Sequence, residues 1–503
     1  MEFRPVQRVL IVGGGTAGWM TASTLARIFP RERLQIVLVE SDEIGIVGVG
    51  EATVPLLQQF HGLLGIDERE FLKATYGTYK LGIEFRDWAR VGGVFFHGFG
   101  DYGADIQGIP AHHYWLKLRQ LGDNRPLDDY SLPYAIARRG HFAIAPRGED
   151  NPASFFKHAF HFDAGLYGRF LRGYAENLGV TRIEGKVVDV ALSPENGFID
   201  RVTLADGREL SADLFIDCSG FRGLLIEEAL QTGYEDWRRW LPCDSALAVP
   251  SEVTSAPTPF TRSTARTAGW QWRIPLQHRS GNGLVYASGF MGDDEARDVL
   301  LSNLDGAPLA EPRQLRFTAG RRKKAWHKNC VAIGLAAGFM EPLESTSIQL
   351  IQTAAARLVQ YFPDRSFDPV MIDEYNRLTA GEHERIRDFL ILHYCLTQRR
   401  DSEFWRYCAE MELPDTLAHT IELFGSCGKV PRHTEDSYAE PSWVAILVGN
   451  GFLPRRYEAL VENIPTEQLR QIFARRRAEL AGIADSMPTH ETFIRRFCMA
   501  EAA

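Results

Sequence analysis

The stretch that most restricts how this chain can fold is a glycine turn near its start. Arg8-Val9-Leu10-Ile11-Val12 is an apolar run of strand length, Gly13-Gly14-Gly15-Thr16-Ala17-Gly18 follows it, and helical spacing then continues to about Phe29. Leu34 to Glu40 reads as a second strand, so the segment is a β-α-β unit. The order G-x-G-x-x-G lets the backbone turn tightly, approach a pyrophosphate and offer it the N–H groups of a helix N-terminus. Glu40 closes the second strand 22 residues after Gly18, where a carboxylate can accept both hydroxyls of an adenosine ribose. Strand, helix and terminal acid in the right places make dinucleotide binding a far better reading than a chance glycine turn.

At 503 residues the chain exceeds one compact core, so two or three sub-regions are expected. Hydrophobic residues at 45% and charged residues at 24% exclude a disordered or collagenous chain. With 56 Lys+Arg against 65 Asp+Glu the net charge is −9, the wrong sign for a surface that tracks nucleic acid. The seven cysteines are scattered and never spaced Cys-x-x-Cys, which suggests neither a disulfide framework nor a metal site. A strand pattern within ten residues of Met1 leaves no room for a signal peptide, and no apolar run approaches the ~18 residues of a membrane span. A cytoplasmic enzyme is expected.

Further along, Phe162–Leu178 has helical spacing, and Glu184–Leu192, Phe198–Leu204 and Leu210–Cys218 read as a β-meander returning to the nucleotide sheet. Leu214 to Gly220 is either a strand and turn beside a bound cofactor or a plain buried strand and turn. Ser251–Gly269 is polar and rich in Pro, Thr and Ser, as an exposed connection would be. From Ile348 onward the pattern is mostly helical, near Ile348–Tyr361, Ile372–Tyr394, Pro414–Phe424 and Thr466–Ile483.

Two segments invite chemistry. Leu81, Ile83 and Phe85 alternate with Lys80, Gly82 and Glu84, which predicts a half-buried strand with Lys80 as a solvated charge on its polar face. Gly334 to Ile348 follows a buried strand at Cys330–Ile333 and runs into a helix, so N–H groups near Thr346 and Ser347 favour an anion. Ser345 or Thr346 acting as an N-cap would serve that segment equally well. Trp270 and Trp272 share one face of a strand, usually a core or interface arrangement, and His97 and Phe99 read as a buried aromatic strand end. Arg321-Arg322-Lys323-Lys324 reads as a solvated basic turn.

Taken together these residues resemble the tryptophan halogenase family of flavin-dependent halogenases. The resemblance spans nearly the whole chain: Gly13–Gly18, the strap Gly48-Val49-Gly50-Glu51-Ala52-Thr53-Val54-Pro55, Lys80, His97-Gly98-Phe99, Trp270-x-Trp272-x-Ile274-Pro275 and Pro342-Leu343-Glu344-Ser345-Thr346. It implies an α/β fold with a Rossmann-like, glutathione-reductase-type FAD-binding core over residues 1–347. Substrate-region insertions with β-sheet fall at about 54–160 and 225–320, and a mostly helical region over 348–503 completes the substrate pocket. It also implies FADH2 supplied by a separate NAD(P)H-dependent reductase, reaction with O2 beside the flavin, and chloride or bromide converted to hypohalous acid that travels to Lys80. Glu344 would assist there as a base. By the same resemblance Thr346 and Ser347 hold halide. Gly13, Gly15, Thr16, Ala17, Gly18, Glu40, Ala52, Val187, Leu335 and Ile348 bind the cofactor, and His97, Phe99, Trp270 and Trp272 serve the aromatic substrate. A homodimer is common in the family.

Two departures bear on the substrate. Ser347 stands where members acting on free tryptophan usually have glycine, and Gly428 to Trp443 lacks their paired tyrosines and Glu…Phe-Trp cluster. An indole-like arene is therefore expected rather than free tryptophan. The alternatives are an FAD-dependent aromatic hydroxylase and a non-catalytic flavin-binding protein.

Overall fold

Val9, Leu10, Ile11 and Val12 are all buried, as a strand covered on both faces requires, and they form the centre of a parallel sheet. The structure, a computed structural model, describes residues 4–43, 50–144, 156–433 and 436–501; Gly48 and Val49 of the strap, and Thr434 and Glu435 of the Gly428–Trp443 segment, lie outside the described residues. The chain forms two units, Met1–Thr75 with Phe162–Pro242 and Arg316–Glu384, and Tyr76–His161 with Cys243–Leu315 and Arg385–Ala503.

In the first unit a six-stranded sheet runs Trp326–His327, Cys330–Ala332, Leu214–Asp217, Arg8–Val12, Gln35–Glu40, Thr181–Glu184, parallel except for the edge hairpin at Trp326–His327. Helix Thr16–Ile28 makes the crossover between the first two strands of the chain and packs against helices Ala164–Asn177 and Thr346–Gln360. The meander is present, but two of its expected strands break. The first stops at Glu184 and resumes at Val187–Leu192, which forms a separate antiparallel sheet with Ile199–Leu204 and Glu209–Ser211. The last breaks at Ala212-Asp213, where the Asp213 carboxylate accepts the N–H groups of Gln7 (2.8 Å) and Arg8 (3.0 Å), and only Leu214–Asp217 joins the nucleotide sheet.

The basic run at 321–324 is not a solvated turn. Strand Gly320–Arg322 pairs with Tyr234–Asp236 and Gly338–Phe339, Arg321 bridges Glu235 and Glu384, and Arg322 is buried. Ion pairing pulls both guanidinium groups inward and leaves only Lys323 and Lys324 exposed.

The second unit is built on a seven-stranded sheet ordered Arg313–Arg316, Ser245–Ser251, Ser280–Tyr286, Gly269–Pro275, Thr261–Arg266, Gly82–Arg86, Val94–Gly98. Thr261–Arg266 lies inside the stretch expected to be an exposed connection; it is mostly buried because its backbone pairs with a strand on each side and its small and β-branched residues suit a sheet interior. Among the described residues the second unit's α-helices are Ala111–Gln120, Leu132–Arg138, Asp293–Ser302, Glu403–Glu410, Asp415–Cys427, Glu440–Gly449, Thr466–Ser486 and His490–Phe497, and Pro369–Cys395 carries the chain from the first unit to the second. The expected boundary at 347/348 falls within the first unit, inside helix Thr346–Gln360. Among the described residues, no helix is long and apolar enough to cross a membrane, and no cluster of His, Cys, Asp or Glu could hold a metal ion.

Candidate active site

The first unit carries the glycine turn Gly13–Gly18. Gly13 has φ +112°, and a Cβ there would sit 2.3 Å from the Cys218 carbonyl oxygen; a Cβ on Gly18 would sit 1.9 Å from that of Gly13. Gly15 differs: a Cβ would meet nothing within 4 Å. It ends the turn at the N-cap of helix Thr16–Ile28, where no side chain caps the first N–H groups. Open space over bare helix N–H groups is what a pyrophosphate needs, so the residues present fit a dinucleotide.

Glu40 stands at the end of its strand, held by Arg182, which also reaches Asp42 (2.8 Å) and Glu184. Its Oε2 lies within 1.5 Å of where a Cβ on Gly14 would be, so only glycine leaves room for the carboxylate. Val187 opens the strand that follows Glu184, the register partner of Glu40. A Cβ on Gly334 would lie 2.7 Å from Cβ of Ala17 and 3.5 Å from Ile351, which puts the turn carrying Leu335 and the helix carrying Ile348 against the glycine turn. Ala52 is buried on strand Gly50–Ala52, ahead of helix Leu56–Leu64, which packs on Thr346–Gln360.

Glu344 is buried at the end of the 3₁₀ turn Pro342–Glu344. Ser345 follows in the left-handed region at φ +62°, and helix Thr346–Gln360 begins without a capping bond from its hydroxyl. The serine thus occupies the N-cap place without doing a cap's work. Thr346 is buried and Ser347 half-buried in the helix's first turn, where Ser347 takes ordinary helical backbone and needs none of glycine's freedom.

Lys80 belongs to the second unit and is 0% exposed, against the expectation of a solvated charge. The expected strand breaks at Leu81, whose N–H donates to Pro259 (2.8 Å) and whose carbonyl accepts from Phe99 (2.8 Å). Thr78–Lys80 instead pairs with residues 159–161, so Lys80 leaves the alternation of Gly82–Arg86 and turns inward. Its Nζ lies 5.2 Å from the centroid of the Phe99 ring, within cation–π range.

His97 is buried with ring centroids of Phe99, Phe389 and Tyr438 at 6.3, 5.9 and 6.3 Å. Phe389 stacks on Tyr438 at 3.9 Å and meets Trp443 edge-on at 5.0 Å. Trp270 lies 6.4 Å from Trp88 and 6.1 Å from Trp272, and Trp88 packs on Trp405 and Tyr394, so Trp270 joins an aromatic core. Trp272 covers Gly283, where a Cβ would come within 2.0 Å of the indole.

The family profile described as Tryptophan halogenase matches residues 8–466. The chain belongs to the tryptophan halogenase family. It is similar to a 7-chloro-L-tryptophan 6-halogenase of Kutzneria sp. (strain 744), 37% identical over 97% of this chain and 99% of the relative. Among solved structures, the flavin-dependent halogenase BrvH from Brevundimonas sp. BAL3 is 49% identical with a TM-score of 0.95, covering 98% of this chain and 99% of its own. A flavin-dependent halogenase from Xanthomonas campestris is also 49% identical, with a TM-score of 0.96, over 99% of this chain and 100% of its own. The protein is an enzyme, a flavin-dependent halogenase with the mixed α/β fold of that family.

In this halogenase the structure gathers Gly13–Gly18, Glu40, Leu335, Thr346, Ser347 and Ile348 in one unit, and Lys80, His97, Phe99, Trp270 and Trp272 in the other. Sequence reasoning missed three groups. Arg322 donates to Ala336 (3.1 Å) and Phe221 (3.3 Å) and pairs with Glu227 (2.9 Å), joining the turns Gly220–Arg222 and Gly334–Ala336. Tyr438 and Trp443 come from the segment read as lacking the paired tyrosines and Glu…Phe-Trp cluster of members acting on free tryptophan; the signal available was Tyr-Ala-Glu-Pro-Ser-Trp, with Pro441 opening helix Glu440–Gly449. Phe389 sits mid-helix and carries no distinguishing local pattern.

Proposed function

We propose that this halogenase uses FADH2, O2 and chloride or bromide to halogenate an electron-rich, indole-like aromatic ring, with Lys80 as the halogen carrier. Reduced FAD, delivered by a separate NAD(P)H-dependent flavin reductase, supplies the activation of oxygen that oxidises halide to hypohalous acid. Gly13, Gly15, Thr16, Ala17 and Gly18 hold the pyrophosphate on helix N–H groups, Glu40 the ribose and Val187 the adenine, while Ala52, Leu335 and Ile348 contact the flavin. Thr346 and Ser347 present helix-terminal N–H groups to the halide. Lys80 receives the hypohalous acid as a hydrogen-bonded partner or as a haloamine and presents electrophilic halogen to the ring; Glu344 accepts the arene proton.

The observation that carries this reading is the complete burial of Lys80 beside Phe99. Lysine is seldom fully buried, and here its ammonium is held within cation–π reach of the Phe99 ring. Burial also favours controlled transfer over release of a diffusible oxidant. The buried aromatic cluster of Phe389, Tyr438 and Trp443 beside His97 supports an arene substrate.

The test is mass spectrometry of products from the enzyme with a flavin reductase, FAD, NADH, O2 and chloride or bromide, offered indole or tryptophan in parallel. Halogenated indole with unreacted tryptophan is expected, and Lys80→Ala should abolish it. Halogenated tryptophan would overturn the substrate assignment, and oxygenated product without halogen would overturn the reaction class in favour of a hydroxylase.

A further inference from the structure

The two residues that precede Lys80 are each held by a buried histidine. Thr78 stands directly opposite His161 in the antiparallel pair that also sets Lys80 opposite Ala159. The Thr78 hydroxyl donates to the Pro275 carbonyl at 2.7 Å, which spends its only proton. Toward His161 Nδ1, 3.0 Å away, it can therefore only accept, so Nδ1 carries the imidazole hydrogen. Nε2 of the neutral ring then accepts from the Thr261 hydroxyl at 2.9 Å. The same accounting fixes His490: Nδ1–H donates to the Pro257 carbonyl at 2.8 Å, and Nε2 accepts the backbone N–H of Tyr79 at 3.1 Å.

Each ring thus works as one donor and one acceptor, and each does so only while neutral. Protonating His490 would set an N–H against the N–H of Tyr79. Burial holds His490 down to about 4. Burial first, then the charge of Lys80 and the proximity of His490, holds His161 well below the ordinary range. The carbonyls that close the two arrangements are Pro275, at the end of the strand bearing Trp270 and Trp272, and Pro257, in the segment leading to Thr261.

We propose that His161 and His490 are positioning residues for Lys80: a pair of neutral imidazoles that lock Thr78 and Tyr79 and thereby aim the Lys80 ammonium. The inference rests on the reading of Lys80 as halogen carrier. A merely structural histidine would set stability alone; a positioning histidine sets the rate at which bound arene is halogenated. The buried aim of a long, flexible side chain is decided by its backbone, because every rotation at Cα is magnified at Nζ.

The experiment compares Lys80→Ala, His490→Ala, His490→Gln and Thr261→Val with the wild-type enzyme, using indole as the arene and steady-state kinetics with excess flavin reductase. His490→Ala and Thr261→Val should each lower kcat about tenfold or more, with KM for indole and FAD affinity changed by no more than about twofold. His490→Gln should recover kcat to within about threefold of wild type, because its amide again offers an N–H donor for the Pro257 carbonyl and an acceptor for the N–H of Tyr79. If His490→Ala fails to fold, the near-isosteric Thr261→Val decides alone. Lys80→Ala inactive with His490→Ala and Thr261→Val above half the wild-type kcat overturns the positioning role and leaves Lys80 standing. Lys80→Ala fully active overturns the carrier reading and this inference with it. Equal losses in the Ala and Gln variants, with Thr261→Val at the wild-type rate, also overturn it.

Discussion

Gly15 and Gly18 stand three residues apart, yet a methyl group added to each meets opposite surroundings. At Gly18 it would press into the Gly13 carbonyl at 1.9 Å, whereas at Gly15 it would stand in open space above the helix N-terminus. Gly18→Ala should therefore destabilise the fold by about 1–3 kcal/mol through overpacking, read as a lowered unfolding midpoint in urea. Gly15→Ala should leave that midpoint in place and weaken FAD binding about tenfold or more, some 1.4 kcal/mol, measured by flavin fluorescence titration. A Gly15→Ala protein that binds FAD as tightly as wild type would argue against a pyrophosphate at this turn. At this scale the sequence was informative where chemistry is carried by backbone. The glycine order is visible in letters because Gly13 and Gly18 answer close backbone approaches while Gly15 leaves the helix N-terminus open. Lys80 was not legible in the same way: alternation placed it on a polar face, and only the break at Leu81, made by contacts with Pro259 and Phe99 far away in sequence, turns it inward.

Elements were legible where one residue pattern decided them and obscure where a neighbour did. The strand Arg8–Val12 and the helices Thr346–Gln360 and Thr466–Ser486 follow from their own periodicity, to within a few residues. Thr261–Arg266 does not: polar by composition, it is a strand because Gly82–Arg86 and Gly269–Pro275 flank it and satisfy its backbone. Arg322 shows the converse, a charge that local pattern assigns to solvent and that three distant acceptors bring inside. Because this one guanidinium joins the turn at Gly220–Arg222, the turn at Gly334–Ala336 and Glu227, removing it should loosen several elements together. Arg322→Met keeps the length of the stem and loses the hydrogen bonds. The expected cost is about 1–3 kcal/mol of stability by thermal or urea unfolding, with weaker FAD retention on gel filtration. Unchanged stability and flavin content would show that the turns hold without it.

Over the whole molecule, buried titratable groups of opposite kind set the pH at which the fold is firmest. Burial lowers His61 and His113 to about 3 and His383 and His490 to about 4, so below pH 6.5 the unfolded chain takes up protons that the folded chain refuses, and stability falls with pH. Burial raises Glu51 and Asp128 to about 7, so from their ordinary range up to pH 7 the folded chain keeps protons that the unfolded chain releases, and stability falls as pH rises. The histidines outnumber the acids, so the unfolding midpoint should climb from pH 4.5 and level off near pH 7, where the two contributions cancel. A series of melting curves across that range checks this, and a midpoint rising steadily to pH 8 would contradict it. The interleaving of the units has its own consequence during synthesis. Each unit is assembled from three separated stretches, and the first lacks its last stretch until Glu384 has been made. The second waits for residues 385–503. Strands that end up wholly buried, such as Ser280–Tyr286, must therefore spend time on the ribosome before the final segment of their unit exists, which exposes them to aggregation. Slower elongation or added chaperone capacity should raise the soluble yield of this enzyme more than any change to its mature surface.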